Sequence, residues 1–267
     1  MSEKPVILIT GASSGIGAAT ALYFGQRGYR VVLAARRLER LVEQASEIQD
    51  LGGEALAIKA DVSSSEQVQA LVERTLENYS RIDVLFNNAG FGRMRWLEKL
   101  DMEADIETQL QVNLHGAIRT AKAVIPTMIA QRSGHIINMS SVAGYIATPT
   151  YSIYAATKFG LRGFTDALRR EMYPYNIRVS GIYPGPVKTE FIEHMGSERK
   201  SGFKTPTWLV LTSEDVARAV WKLNQRPRRV VVLPGFFSGL IMLEHWFPGL
   251  VDWGIERFFI RRERKQS

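Results

Sequence analysis

The sequence predicts an α/β fold, a doubly wound parallel sheet of seven strands with helices on both faces. Seven short β-rich runs alternate with six stretches of helical periodicity, the pattern of βαβ units. Most of those runs are continuously apolar, as strands covered on both sides are. A glycine-rich turn follows the first run directly.

In chain order, residues 6–10 (Val-Ile-Leu-Ile-Thr) are β-branched and apolar, and an alanine-rich helix is expected over 18–27. A second strand at 30–34 leads to a helix at 37–50, and a third at 55–60 to a helix at 66–78. The fourth strand, 84–87, precedes a long helical stretch at 105–131; the fifth, 135–139, precedes one at 153–172. Strand 178–183, helix 213–224 and strand 230–233 complete the series. Each helical stretch places apolar residues three and four apart. The rhythm is unbroken to about residue 185, with no linker or repeat, so 1–233 reads as one domain and 234–267 as an extension. Residues 190–212 are polar, glycine-punctuated and aromatic, and are expected to form a lid.

Composition narrows the function classes. The chain has 267 residues, 45% of them hydrophobic, and a net charge of +7. It has no cysteine, which excludes a disulfide scaffold, a thiolate metal site and a cysteine nucleophile. The apolar run Val6 to Ile9 is too short for a signal-peptide core, and the uncharged stretch 230–243 is too short for a membrane span of about 20 residues. A cytoplasmic location is therefore expected. His115, His135, His194 and His245 share no ligand-like spacing, so no metal is expected.

Chemistry is concentrated at strand ends. After the first strand comes Thr10-Gly11-Ala12-Ser13-Ser14-Gly15-Ile16-Gly17. Glycines at a strand-to-helix turn let the backbone approach a ligand, and the following helix dipole favours a pyrophosphate. A tight turn with a helix cap would use similar residues. The second strand runs into Arg36 and Arg37, where an acid would hold the ribose hydroxyls of NAD. Guanidinium forks there suit a 2′-phosphate, although surface ion pairs with Glu39 would look the same. Asn87-Asn88-Ala89-Gly90 ends the fourth strand at the sheet's carboxyl edge, where open α/β sheets bind ligands.

Tyr154 and Lys158 stand at i and i+4 of the expected helix 153–172 and share one face. A phenol near pKa 10 must fall by about three pH units to exchange protons at neutrality, roughly 4 kcal/mol. An ammonium about 4 Å away at an effective dielectric of 20 supplies about that much. Tyr151 competes for the role, but the residue four positions on from it is Ala155. An ordinary surface aromatic–lysine pair is the alternative.

Taken together, Thr10-Gly11-x3-Gly15-x-Gly17, Asn87-Asn88-Ala89-Gly90, Ser141, Tyr154-x3-Lys158 and Pro184-Gly185 resemble the classical short-chain dehydrogenase/reductases over about residues 5–233. The resemblance implies a Rossmann-type domain that moves a hydride between NADP(H) and a carbonyl or alcohol carbon. Tyr154 would be the general acid/base, Ser141 would polarise the substrate oxygen, and Lys158 would lower the tyrosine pKa and bind the nicotinamide ribose. Asn113 would hold a water of the proton relay. Cofactor contacts would come from Gly11, Ser13, Ser14, Gly15, Ile16, Gly17, Arg36, Arg37, Asp61, Val62, Asn88, Ala89, Gly90, Tyr154, Lys158, Pro184, Gly185, Val187 and Thr189. Many NADP-preferring members place a basic residue where this chain has Ser14, which leaves discrimination to the two arginines. Members are usually dimers or tetramers, so a homodimer or homotetramer is expected.

Phe91, Tyr145, Ile146, Phe191, Met195 and Trp208 suggest a roomy apolar pocket for a fairly large lipophilic substrate, with ordinary loop packing as the alternative. The extension places Phe and Trp beside Arg, as a helix lying on an anionic bilayer does; a cleft-closing helix or dimer seam with a basic tail is the competing account. No nucleic-acid motif is present. Three functions follow for testing: the NADP(H) oxidoreductase, a ketoacyl carrier-protein reductase, and a non-catalytic NADPH sensor or membrane-associated scaffold.

Overall fold

The computed structural model describes residues 4–190 and 209–261. Its seven strands are β1 (Val6–Thr10), β2 (Arg30–Ala35), β3 (Glu54–Lys59), β4 (Val84–Asn87), β5 (Gly134–Met139), β6 (Ile177–Pro184) and β7 (Val230–Leu233). They form one parallel sheet in the order β3-β2-β1-β4-β5-β6-β7. The order reverses between β1 and β4, so the crevice for a ligand opens at their carboxyl ends.

Alternation along β1 explains how the sheet is covered. Ile7 and Ile9 join Phe24 of helix α1 (Gly15–Gly25), Leu41 and Ile48 of α2 (Leu38–Asp50) and the helix over Ser213–Gln225 in one core. Val6 and Leu8 face the other way, into a core with Leu71 of α3 (Ser65–Tyr79) and residues of two later helices. All four β1 side chains are fully buried. Each contributes about 1.5–3 kcal/mol by leaving water, so two cores clamp the strand that carries the glycine turn.

The helix expected over 105–131 differs in form. It begins as a π-helical segment, Met102–Glu107, continues as α4 (Thr108–Leu110) and a second π-helical segment, Gln111–His115, and becomes regular only in α5 (Gly116–Gln131). Asp105, Gln109 and Asn113, four apart, all face inward. Asp105 pairs with Arg93 at 3.1 Å, Gln109 accepts from the Arg93 backbone N–H at 3.1 Å, and Asn113 accepts from that of Phe91 at 2.9 Å. This polar stripe staples the loop after β4. Apolar periodicity reports only the regular part, which is why widened turns were not expected.

Helix α6 (Ser152–Met172) packs on β6, and α7 (Ser213–Gln225) opens with a capping box between Thr212 and Asp215. Beyond β7 lie α8 (Phe237–Trp246), α9 (Pro248–Ile255) and a π-helical turn, Glu256–Ile260. Residues 191–208 of the expected lid, with Phe191, His194, Met195 and Trp208, lie outside the described residues.

Candidate active site

The turn after β1 is fixed by backbone chemistry. Gly11 and Gly15 have φ of +66° and +55°, the left-handed region that glycine enters without steric cost. A Cβ on Gly11 would lie 2.8 Å from Ala89 Cα, and one on Gly17 would strike the Gly11 carbonyl. Thr10 Oγ1 accepts from the backbone N–H groups of Asn88 and Ala89, both at 3.1 Å, while the Asn88 amide donates to the carbonyls of Thr10 and Gly11. The β4 end thus closes against the glycine turn. No side chain caps the first turn of α1, so its N–H groups are left for an anion. Residues there therefore fit a pyrophosphate: the cradle is one that a Cβ would fill.

The two arginines part company. Arg37 donates to Ser13 Oγ at 3.1 Å and Ser14 Oγ at 2.9 Å, and Glu190 pairs with Arg37 at 3.4 Å and Arg40 at 2.8 Å. Arg36 is exposed, and its guanidinium makes no ion pair among the described residues. Sequence reasoning missed Glu190 because its partners lie some 150 positions away; only the closure of the sheet edge brings them together. Thr10 stood in the glycine-rich motif without a role of its own, and Thr157 was missed as a site-builder, for both work by backbone-directed hydrogen bonds that any threonine could make.

Ser141, Tyr154, Lys158 and Asn113 converge beside Gly90. The Ser141 hydroxyl stands near enough to the Tyr154 hydroxyl to oppose the rise of its pKa, and it reaches the Pro184 carbonyl at 3.4 Å. Lys158 Nζ lies 5.5 Å from the Tyr154 ring centre and donates to the Met139 carbonyl at 2.9 Å. A Cβ on Gly90 would lie 3.1 Å from Asn113 Oδ1 and 3.6 Å from Lys158 Nζ. The Asn113 amide donates to the Phe91 carbonyl at 2.7 Å and to Thr157 Oγ1 at 3.3 Å, so its side chain is committed to holding the loop. Tyr151 is a neighbour, its ring 6.0 Å from that of Tyr154.

Electrostatics here run against the expected lowering of the tyrosine. Burial pushes the Tyr154 phenol up, the Ser141 hydrogen bond opposes this, and Tyr151 adds to the rise. Burial also pushes the Lys158 ammonium down to about 8. An amine that is neutral above 8 gives no help to a phenol that would ionise at higher pH. The chain by itself therefore keeps Tyr154 protonated at neutrality, with Lys158 still mainly charged.

The remaining expected contacts have partners of their own. Thr189 lies over Gly15, its methyl 3.3 Å from where a Cβ would stand. Val187 bridges to Leu211, and Gly185 N–H donates to the Leu233 carbonyl at 2.6 Å. Asp61 accepts from the Ser63 backbone and hydroxyl, and Val62 is buried against Gly116. Tyr145 is held at its face by Arg162, 3.9 Å from the ring centre, and at its edge by Tyr183.

The profile of the short chain dehydrogenase family matches residues 5–200. The chain belongs to that family. Among short-chain dehydrogenase relatives, an uncharacterized oxidoreductase of Listeria innocua is 43% identical over 193 residues, 72% of this chain and 77% of its own. A 3-oxoacyl-(acyl-carrier-protein) reductase of Synechocystis is 39% identical over 194 residues, 72% and 78% of the two chains. A short chain dehydrogenase/reductase from Burkholderia phymatum in complex with NAD superposes with a TM-score of 0.83 at 26% identity, covering 93% of this chain and 95% of that one. The Thermococcus sibiricus alcohol dehydrogenase complexed with 5-hydroxy-NADP gives 0.77 at 30% identity, covering 86% and 96%. An oxidoreductase built to bind a nicotinamide dinucleotide follows from membership; the two solved complexes hold different cofactors.

Proposed function

We propose that the chain is an NADP(H)-dependent oxidoreductase that reduces the carbonyl of a fairly large lipophilic substrate, with Tyr154 as the general acid. The observation that carries this is the buried Tyr154 phenol, with Ser141 acting on its hydroxyl and Lys158 Nζ 5.5 Å from its ring centre. A protonated acid is what reduction requires at neutral pH.

When bound, NADPH supplies the hydride. Gly11, Gly15 and Gly17 would admit its pyrophosphate to the α1 N-terminus, and Arg37 with Ser13 and Ser14 would take the 2′-phosphate in place of Glu190. Arg36 is free to swing onto the same group. At the other end, Ser141 Oγ donates a hydrogen bond to the substrate oxygen and Tyr154 Oη gives it a proton, so the developing alkoxide is neutralised where it forms. The Lys158 ammonium, 5.5 Å from the centre of the Tyr154 ring, would favour the resulting phenolate. Asn113 acts by position, holding Gly90 and Phe91 against the centre. Phe91, Tyr145 and Ile146, on the stretches that follow β4 and β5, would favour a lipophilic substrate.

A second reading, reduction of a 3-oxoacyl thioester on a carrier protein, draws support from the Synechocystis relative. One panel separates them: free aliphatic and polycyclic ketones and aldehydes against a carrier-bound 3-oxoacyl thioester, with NADPH and NADH. Free lipophilic carbonyls with NADPH should be turned over fastest, and Tyr154→Phe should lower kcat by about 10²–10⁴-fold. Preference for the thioester would favour the second reading. Tight NADPH binding with no turnover of any carbonyl would leave only a sensor.

A further inference from the structure

The segment after β7 is built like nothing else in the fold. Helices α8 and α9 are apolar around most of their circumference, yet neither contains a single buried residue. Met242 is 62% exposed, Trp246 68%, Phe247 61% and Trp253 58%, with Phe236 and Leu250 similar. A helix apolar all round normally sits in a protein core or in lipid, and a patch of this kind marks an interaction surface. Neither helix crosses a bilayer: they are 10 and 8 residues long, and no helix among the described residues is long and apolar enough to span.

Charge says what covers the patch. Between Glu256 and Lys265 the sequence holds five basic and two acidic side chains, immediately after the apolar helices, which themselves carry Glu244 and Asp252. Among the described residues, Glu256 is engaged by Arg261 at 3.0 Å. Indole and phenyl rings followed by clustered arginines match the layering of an anionic membrane surface, acyl chains first and headgroups next. Each basic group near such a surface adds about 1 kcal/mol. A second copy of the chain is the other candidate occupant of the apolar patch.

We infer that α8 and α9 dock the protein peripherally on an anionic bilayer. Phe237, at the start of α8, packs against Gly185, where a Cβ would collide with its ring. Ser141 contacts the Pro184 carbonyl next to it. The docked helices therefore adjoin the candidate active site, and a lipophilic compound dissolved in the membrane would meet the cleft from the lipid side. The docking itself does not depend on the catalytic reading.

The test mixes the full chain with vesicles of phosphatidylcholine alone or with about one-third phosphatidylserine. Wild type should co-sediment with the anionic vesicles, high salt should weaken binding several-fold, and Trp246→Glu/Trp253→Glu should lower it at least about ten-fold. Acyl-chain-brominated lipid should quench wild-type tryptophan fluorescence, a readout that does not rely on the variant folding. Equal partition of wild type and variant, or no quenching, would overturn the inference. So would absence of vesicle binding together with a dimer in sedimentation velocity that the variant dissociates, since a second copy would then be the occupant.

Discussion

At the scale of single residues, the pair Tyr154 and Lys158 was legible in the sequence but its electrostatics were not. Spacing places phenol and amine on one face; only packing shows that both are buried and that the ammonium is held by the Met139 carbonyl. Solvent exclusion, invisible in a four-residue interval, reverses the expected direction for the phenol. A consequence concerns pH. Lys158 carries its charge below about 8 and loses it above, so if that charge stabilises the phenolate, kcat/KM for reduction should fall as pH rises through about 8. Lys158→Arg, permanently charged, should retain whatever activity it has across that range. A wild-type profile flat from pH 7 to 9 would remove the lysine from the chemistry.

Among elements, the glycine turn was read correctly as a backbone device, whereas the interrupted helix around Asn113 was not. Gly11, Gly15 and Gly17 announce themselves because few other residues meet their constraints. The π-helical turns depend on bonds from Asp105, Gln109 and Asn113 to a loop about 12–22 positions earlier, which periodicity does not encode. The turn carries a direct prediction. In Gly17→Ala the new methyl would meet the Gly11 carbonyl, backbone that cannot rotate aside. Overpacking of this sort costs about 1–3 kcal/mol. NADPH affinity, followed by fluorescence titration, should drop at least about ten-fold while the far-ultraviolet dichroism stays native. Unchanged affinity would mean that the turn does not hold the nucleotide.

For the whole molecule, seven parallel strands and their two-sided burial followed from the apolar runs, while the strand order and the clamps that join distant parts did not. His135 is one of these. It is 5% exposed, contacts Asn224 Oδ1 through Nδ1 at 3.2 Å and Ser180 Oγ through Nε2 at 2.9 Å, and so links β5, β6 and α7. Burial, helped by Arg178 and opposed by the Asn224 hydrogen bond, pushes its pKa down to about 4. Between about 6.5 and 4 the unfolded chain therefore binds more protons than the folded one. Stability present above 6.5 is lost as pH falls through that window, by about 3 kcal/mol from this residue. Urea unfolding at pH 7 and pH 4.5 should differ accordingly, and His135→Gln should reduce the difference whatever its own stability; an equal difference in both proteins would assign the acid sensitivity elsewhere.

All of these features serve one proposed act, delivery of a hydride and a proton to a carbonyl held by Ser141 and Tyr154. The direct measurement uses NADPH with both C4 hydrogens of the nicotinamide replaced by deuterium, together with a lipophilic ketone, and follows the label by mass spectrometry. Deuterium bound to the carbinol carbon in the wild-type product, and its loss in Tyr154→Phe, is the predicted result. A product without the label, or equal labelled yield and rate from the phenylalanine variant, would contradict it.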